Sequence, residues 1–378
     1  MRLLFISTTF PDTANPTRGT YNAALCRELA RDHEVRVISP QLFTESIPRK
    51  FQGKRWSVPP AIQELEIQVE YPTFWYTPKM FHEYSGSQMW WSVRKTVERA
   101  VREFQPDAVL SYWAHPEGEI GVRAGRLAQA PAAVIVGGTD VLILPNLPKR
   151  GTRVRRVLTD SDAVITVSDG LKQAAEELPV PAEQVRTIYQ GIDDTHFHTR
   201  KSREESRSEL GLATDTSHLV WVGRIVPIKA LEVLLRASAA LAQRQVSFQL
   251  HLLGNGPERP SLEKLAKELG LENIVRIQGA VGHDRLADWY RAADLTVMSS
   301  LSEGLPNVLR ESLACGTPFV STDVGSIREI ARPEYSQLVP VNDVEALAKA
   351  IEETLHPDYR DGAKCYQPRT WSDCASEV

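Results

Sequence analysis

Two carboxylates, Glu303 and Glu311, stand eight positions apart in this chain, separated by the turn Gly304-Leu305-Pro306-Asn307. The pattern after the turn predicts an amphipathic helix over 308–314 that carries the second carboxylate. Gly316-Thr317-Pro318 then ends the helix and leads into a strand at 319–322. A loop that opens a helix in this way aims free N–H groups at one point, which suits phosphate and sugar hydroxyls. A carboxylate at the loop and another two turns along the helix can each accept hydrogen bonds from a polyol. The chemistry this set suits is transfer of a sugar from a nucleotide-sugar.

A second element, Val222-Gly223-Arg224-Ile225-Val226-Pro227-Ile228-Lys229, supplies two cations in a loop between a strand and a helix expected over 230–243. A leaving diphosphate develops negative charge, and Arg224 and Lys229 are suited to stabilise it without a metal. The plain alternative is a solvated basic loop. Leu253-Gly254-Asn255-Gly256 follows another strand, and its glycines would let a backbone approach a ligand closely. An ordinary tight turn explains it equally well. It is no dinucleotide fingerprint: the first strand-to-helix turn, Ser7-Thr8-Thr9-Phe10-Pro11, lacks glycine and no GxGxxG occurs.

Candidates in the first half are Gly19, which precedes a helix, His115 in Tyr112-Trp113-Ala114-His115-Pro116-Glu117-Gly118, and Gly138 and Asp140 in Gly137-Gly138-Thr139-Asp140. Each follows a strand and is expected at the acceptor side or lining a cleft. A lone histidine is more often structural than chemical. The segment 71–91 is dense in aromatic residues that could stack on sugars or pack in a core. Lys149, Arg150, Arg153, Arg155 and Arg156 form a basic cluster with no acid among them, suited to anionic lipid or to a solvated helix face.

The elements that must position these residues alternate. Strands are expected at 3–7, 35–39, 108–111, 132–136 and 163–167, and again at 219–222, 248–253, 275–278, 295–298 and 319–321, with helices between. That alternation predicts doubly wound parallel sheets. A chain of 378 residues exceeds one ordinary core. Its polar stretch near 191–217 divides it into an N-terminal Rossmann-like domain (1–193) on the acceptor side and a C-terminal Rossmann-like donor domain (194–365). Residues 366–378 begin a last helix returning toward the first domain. The two sheets are expected to face a central cleft.

Net charge is −4, which argues against nucleic acid as a partner. Four cysteines without metal-type spacing are read as reduced thiols of a cytoplasmic protein. No apolar run reaches the roughly 20 residues of a membrane span, and the first residues carry no signal peptide. No metal triad and no activated Ser–His or Cys–His pair is visible.

Taken together, these motifs resemble the retaining glycosyltransferases of GT-B fold known as family 4, or group 1. The resemblance rests on Ser302-Glu303-Gly304-Leu305-Pro306-Asn307 with Glu311-Ser312-Leu313-Ala314-Cys315-Gly316-Thr317-Pro318, on Gly223-Arg224 with Lys229, on 163–168 with Gln190-Gly191-Ile192-Asp193, and on 323–330 with Leu338-Val339-Pro340. It implies that Arg224 and Lys229 hold the donor diphosphate and Glu311 the ribose. It assigns the transferred sugar to Glu303 and the backbone of Gly304, Leu305 and Asn307, and places Gly279, Ala280 and Val281 beside the base. It implies a UDP- or GDP-linked donor, no cofactor, no required metal and a glycan or lipid-linked acceptor, while the basic cluster at 149–156 is what suggests peripheral contact with an anionic inner membrane face. Gly137 stands where many relatives carry histidine, and Ala230 stands where they often carry glycine, harmless if that position is helical. A nucleotide-sugar epimerase of the same fold and a non-catalytic nucleotide-sugar binder are the competing readings.

Overall fold

A computed structural model describes residues 1–16, 18–51, 56–59, 62, 67–77 and 81–378. The chain forms two compact units, Met1–Gly191 with Arg369–Val378, and Ile192–Pro368.

The first unit is built on a seven-stranded sheet. Its strands are β1 (Arg2–Ile6), β2 (Glu34–Ile38), β4 (Gln68–Glu70), β6 (Ala108–Tyr112), β7 (Ala132–Val136), β8 (Ala163–Thr166) and β9 (Val185–Thr187). The order is β4-β2-β1-β6-β7-β8-β9, parallel throughout. A separate two-stranded ribbon pairs β3 (Gln41–Leu42) with β5 (Thr73–Phe74). β1 shows why the sheet is covered on both faces. Leu3 and Phe5 enter one apolar cluster with Val35, Val37 and Leu110, whereas Leu4 and Ile6 enter another with Val109 and Val93. Successive side chains of a strand point to opposite faces, so a continuous apolar run requires helices on both sides. The helix Ser85–Phe104 supplies one cover: Met89, Val93, Val97 and Ala100 recur at helical spacing and are all buried.

The second unit carries six parallel strands, β10 (Ser217–Val222), β11 (Phe248–Leu253), β12 (Val275–Gly279), β13 (Leu295–Met298), β14 (Phe319–Thr322) and β15 (Ser336–Val339), in the order β12-β11-β10-β13-β14-β15. Here too Leu219 and Trp221 face one cluster and Val220 the other.

The strands missed by sequence reading are β4, β9 and β15, each at a sheet edge, together with the two-residue ribbon. Gln68-Val69-Glu70 and Val185-Arg186-Thr187 are short and largely polar because an edge strand is covered less completely. The tail folds as part of the first unit. Thr370 caps the helix Trp371–Glu377 reciprocally with Asp373, and Trp371 and Cys374 are buried in that unit's core. A Cβ on Gly191 would lie 2.2 Å from the Trp371 nitrogen, so only glycine admits the tail there. Among the described residues, no disulfide joins the four cysteines.

Candidate functional site

In open parallel sheets, ligands bind outside the carboxyl ends of the strands where the strand order reverses. In the second unit that point lies between β10 and β13, which are neighbours although the chain runs from β10 to β11 first. Gly223, Arg224 and Lys229 follow β10, and Glu303, Gly304, Leu305 and Asn307 follow β13. The two loops are tied together: the Leu301 amide donates to the Ile228 carbonyl at 2.8 Å, and the Ser299 hydroxyl donates to the Lys229 carbonyl at 3.0 Å. Across them the Lys229 ammonium meets the Glu303 carboxylate at 2.5 Å, with both side chains largely buried. Arg224 is exposed. Gly254 follows β11 and Gly279 ends β12, with Ala280 and Val281 beyond, so the remaining sequence candidates of this unit lie at the carboxyl ends of the same sheet's strands.

Glu311 lies on the helix Asn307–Ala314 and accepts a hydrogen bond from the buried Tyr290 hydroxyl at 3.2 Å. The residue keeps some exposed surface, yet its carboxyl is crowded by protein, and burial pushes it up to about 7. Tyr290 was not found from sequence; a lone tyrosine in a helical pattern carries no signal that its hydroxyl meets a carboxylate 21 positions later.

Two glycines outside the expected set also matter. Gly325 has φ +57, and a Cβ there would fall 2.1 Å from the Glu303 carbonyl oxygen. The Ser326 amide donates to the Gly304 carbonyl at 3.0 Å, so this turn holds the Glu303 loop from behind. Gly256 would clash similarly with the Ile225 carbonyl, at 2.0 Å.

The Gly-Asn-Gly turn therefore has a structural task. A Cβ on Gly254 would meet the Gly223 carbonyl at 1.8 Å, and the Ile225 amide donates to the Asn255 carbonyl at 3.0 Å. The close approach that these glycines permit is to the Arg224 loop itself.

Ala230 corrects a sequence expectation. The helix begins at Leu231, and Ala230 before it adopts the left-handed conformation, φ 44 and ψ 44. A side chain there is strained, which explains a preference for glycine at this position.

The candidates of the first unit divide. Gly19 has φ +64, and a Cβ would lie 2.2 Å from the Thr9 carbonyl, so the glycine serves loop packing. Asp140 is fully buried; its carboxylate accepts the amides of Gly137, Gly138 and Ala114 at 3.0–3.2 Å. It clamps the loops after β6 and β7, and burial pushes it up to about 6. The Gly137 amide is thus already engaged. His115 is buried, neither ring nitrogen has a partner among the described residues, and burial beside Arg150 and Arg153 drives its pKa down to about 3. It is neutral at physiological pH.

The basic cluster does have acids once folded. Arg156 and Arg126 both reach Asp160, and Lys149 reaches Glu83. Among the aromatic residues of 71–91, Phe74 and Trp90 are buried, whereas Trp75, Phe81, Tyr84 and Trp91 are exposed. Among the described residues, no helix is long and apolar enough to cross a membrane.

With this geometry in view, comparisons with known proteins agree across both units. Residues 18–191 match the glycosyl transferase 4-like domain, and residues 216–356 match glycosyl transferases group 1. The chain is 28% identical over 365 residues to a putative teichuronic acid biosynthesis glycosyltransferase, TuaC, of Bacillus subtilis, covering 94% of this chain and 90% of that one. It is 36% identical over 218 residues to a D-inositol 3-phosphate glycosyltransferase of Thermobispora bispora, spanning 53% of this chain and 50% of that enzyme. The fold is shared with Anabaena HepE, solved with UDP, at a TM-score of 0.75 and 19% identity over 100% of this chain and 98% of the other. Sucrose-phosphate synthase from Thermosynechococcus elongatus superposes at 0.78 and 20% identity, over 100% and 97%. The chain is a glycosyltransferase of GT-B fold, with a glycosyl transferase 4-like domain followed by a group 1 glycosyl transferase domain.

Proposed function

We propose that the chain is a retaining, metal-independent enzyme that moves a hexose from a UDP- or GDP-linked sugar to a hydroxyl of a glycan or lipid-linked acceptor, in cell-surface polysaccharide or other glycoconjugate synthesis. The observation that carries this reading is the Lys229–Glu303 pair at the reversal point of the second sheet, beside exposed Arg224. In the proposed mechanism, Arg224 and Lys229 take the diphosphate oxygens and stabilise the charge that develops as the sugar–phosphate bond breaks. Lys229 turns from Glu303 toward phosphate, which leaves the Glu303 carboxylate to accept from sugar hydroxyls. Glu311 holds the ribose diol with Tyr290 fixing its carboxyl. The leaving phosphate accepts the proton of the acceptor hydroxyl, which attacks from the same face, so the anomeric configuration is kept. No side-chain nucleophile is required.

Names of relatives support a nucleotide donor and a surface-polymer pathway: HepE was solved with UDP and with UDP-glucose, and TuaC is described as a teichuronic acid biosynthesis enzyme. The reading includes a cytoplasmic location and peripheral contact with an anionic membrane through exposed Phe81 and Tyr84 near Lys149 and Arg153; the Arg153 guanidinium lies 5.6 Å from the Tyr84 ring.

The test is a thermal-shift screen against UDP, GDP and ADP and their sugars, followed by NMR of the anomeric proton in the product. A ligand that binds only the native state raises the melting temperature. Retained configuration in EDTA-treated enzyme supports the proposal. Inversion, or activity lost to EDTA and restored by a divalent ion, overturns the mechanism. Donor turnover with no acceptor present would favour the epimerase.

A further inference from the structure

The first unit has its own reversal point, between β1 and β6. A cavity of about 400 Å³ opens there, lined by Thr8 from the loop after β1, Pro116 and Glu117 from the segment after β6, and Arg18, Tyr76 and Arg150. That volume lies within the size range of small-ligand sites, about 300–1,000 Å³.

The cavity gathers buried polar atoms without a hydrogen-bond partner among the described residues. Glu117 is 2% exposed; its Oε1 accepts from the Thr8 hydroxyl, and its Oε2 has no partner. The Arg150 Nε is buried and without a partner among the described residues, as are both ring nitrogens of His115, which stands two positions before Glu117 behind the cavity lining and feels the Arg150 charge. Buried polar groups are nearly always hydrogen-bonded, so a concentration of orphans beside a cavity marks a place completed by a ligand.

The residues also say what kind. Burial pushes the Glu117 carboxyl up to about 7, so near neutrality it is poised between donating and accepting, as a sugar hydroxyl requires. Arg18 is already held by Glu45, at 2.9 and 3.0 Å, and offers no free charge. Arg150 makes no ion pair among the described residues, and burial lowers its basicity, an effect the Glu117 charge opposes. A half-buried guanidinium with no ion pair among the described residues is stabilised by an anion it can grip with two N–H groups. Tyr76, packed against Phe74, adds an aromatic wall for a sugar face.

We propose that this cavity binds the acceptor, and that it takes a monosaccharide unit bearing an anionic group, a carboxylate or a phosphate, with Arg150 on the anion and Glu117 on a hydroxyl. The inference rests on the glycosyltransferase reading, which would otherwise leave the acceptor's chemistry open.

The experiment is ligand-observed NMR titration of the full chain with glucuronate, glucose 6-phosphate and glucose, with the UDP and GDP thermal shift measured on the same samples. At least one anionic sugar should bind about tenfold or more tightly than glucose. Preference for glucuronate alone would identify a carboxylate site, and preference for glucose 6-phosphate alone a phosphate site. Arg150→Gln should reduce the preference to about twofold or less, and Arg150→Lys should retain part of it, since a point charge replaces the fork. Absence of binding by both anions, equal binding of glucose, or a preference unchanged in Arg150→Gln overturns the inference. If Arg150→Gln does not fold, the wild-type ranking alone decides. A nucleotide shift without an anionic-sugar preference rejects this inference and leaves the proposed function standing; absence of any nucleotide shift strikes at the function itself.

Discussion

The ammonium of Lys229 and the carboxylate of Glu303, 74 positions apart in sequence, meet at 2.5 Å where the second sheet reverses its strand order. A cation and an anion expected to hold different parts of a donor neutralise each other. Paired in this way, neither is left as a lone charge in a largely buried setting, which would be costly. The pair is also the reason that either residue's loss has two consequences: a missing contact and a stranded partner.

Lys229→Ala should therefore lower kcat on the order of 10²-fold or more, as loss of one preorganised charge does at developing anions. Nucleotide release in the presence of donor and acceptor is the readout. A change of only a few-fold would show that the loop is a bystander.

Glu311→Ala is expected to weaken donor affinity by about tenfold or more, since the crowded carboxyl proposed to hold the ribose diol is replaced by a methyl group. Tyr290→Phe should give a smaller loss in the same direction, because it removes only the hydroxyl that positions Glu311. Isothermal titration with the nucleotide measures both; equal affinities in wild type and Glu311→Ala would remove Glu311 from the site.

Ala230→Gly tests the strained position directly. The left-handed conformation costs a non-glycine residue about 1–2 kcal/mol, and the glycine's extra freedom in the unfolded chain returns about 0.4–1 kcal/mol of that. A net gain in stability of up to about 1.6 kcal/mol is expected, seen as a higher urea midpoint with an unchanged slope. A lower midpoint would mean that the alanine methyl, buried at this position, contributes more by packing than it costs in strain.

Gly325→Ala should do the opposite. Its new methyl would collide with the Glu303 carbonyl, so the Glu303 loop must shift. Loss of donor-induced thermal shift, with most of the intrinsic melting temperature retained, is the expected outcome; normal donor binding would show the loop can yield without harm.

Acid should destabilise the second unit through a buried imidazole pair. His218 Nδ1 and His251 Nε2 lie 3.0 Å apart, and burial lowers both, His251 to about 4. A histidine depressed in the folded state contributes stability that is complete above its unfolded pKa of about 6.5 and declines as pH falls toward the folded value, because the unfolded chain binds the extra proton. Urea midpoints measured from pH 7 to pH 4 should fall, and His251→Gln should flatten that fall. Glu311 works in the other direction: its raised carboxyl favours the folded state at low pH and loses that contribution as pH climbs from about 4.5 toward 7. The acid-side decline should therefore be steeper in Glu311→Gln.

Much of this molecule was legible in its residues because the relevant signals are local. Runs such as Leu3–Ile6 and Leu219–Val222 identify buried strands through short-range periodicity. The turn 304–307, flanked by Glu303 and the helix carrying Glu311, is readable as a loop that opens a helix. Two domains follow from length and a polar junction. The tertiary structure decided the rest, and for physical reasons that spacing does not encode. Strand order brings Lys229 onto Glu303 and sets Glu117 at a second reversal point. Backbone packing gives Gly254 and Gly325 their necessity, since a clash with a carbonyl dozens of positions away leaves no local mark. The conformation of Ala230 follows from the entry angle of its helix. Burial makes Asp140 a clamp rather than a cleft residue, and gives the basic segment 149–156 partners in Glu83 and Asp160 that only folding brings near. A residue's type states what it can do; its neighbours in space determine which of those things remains available.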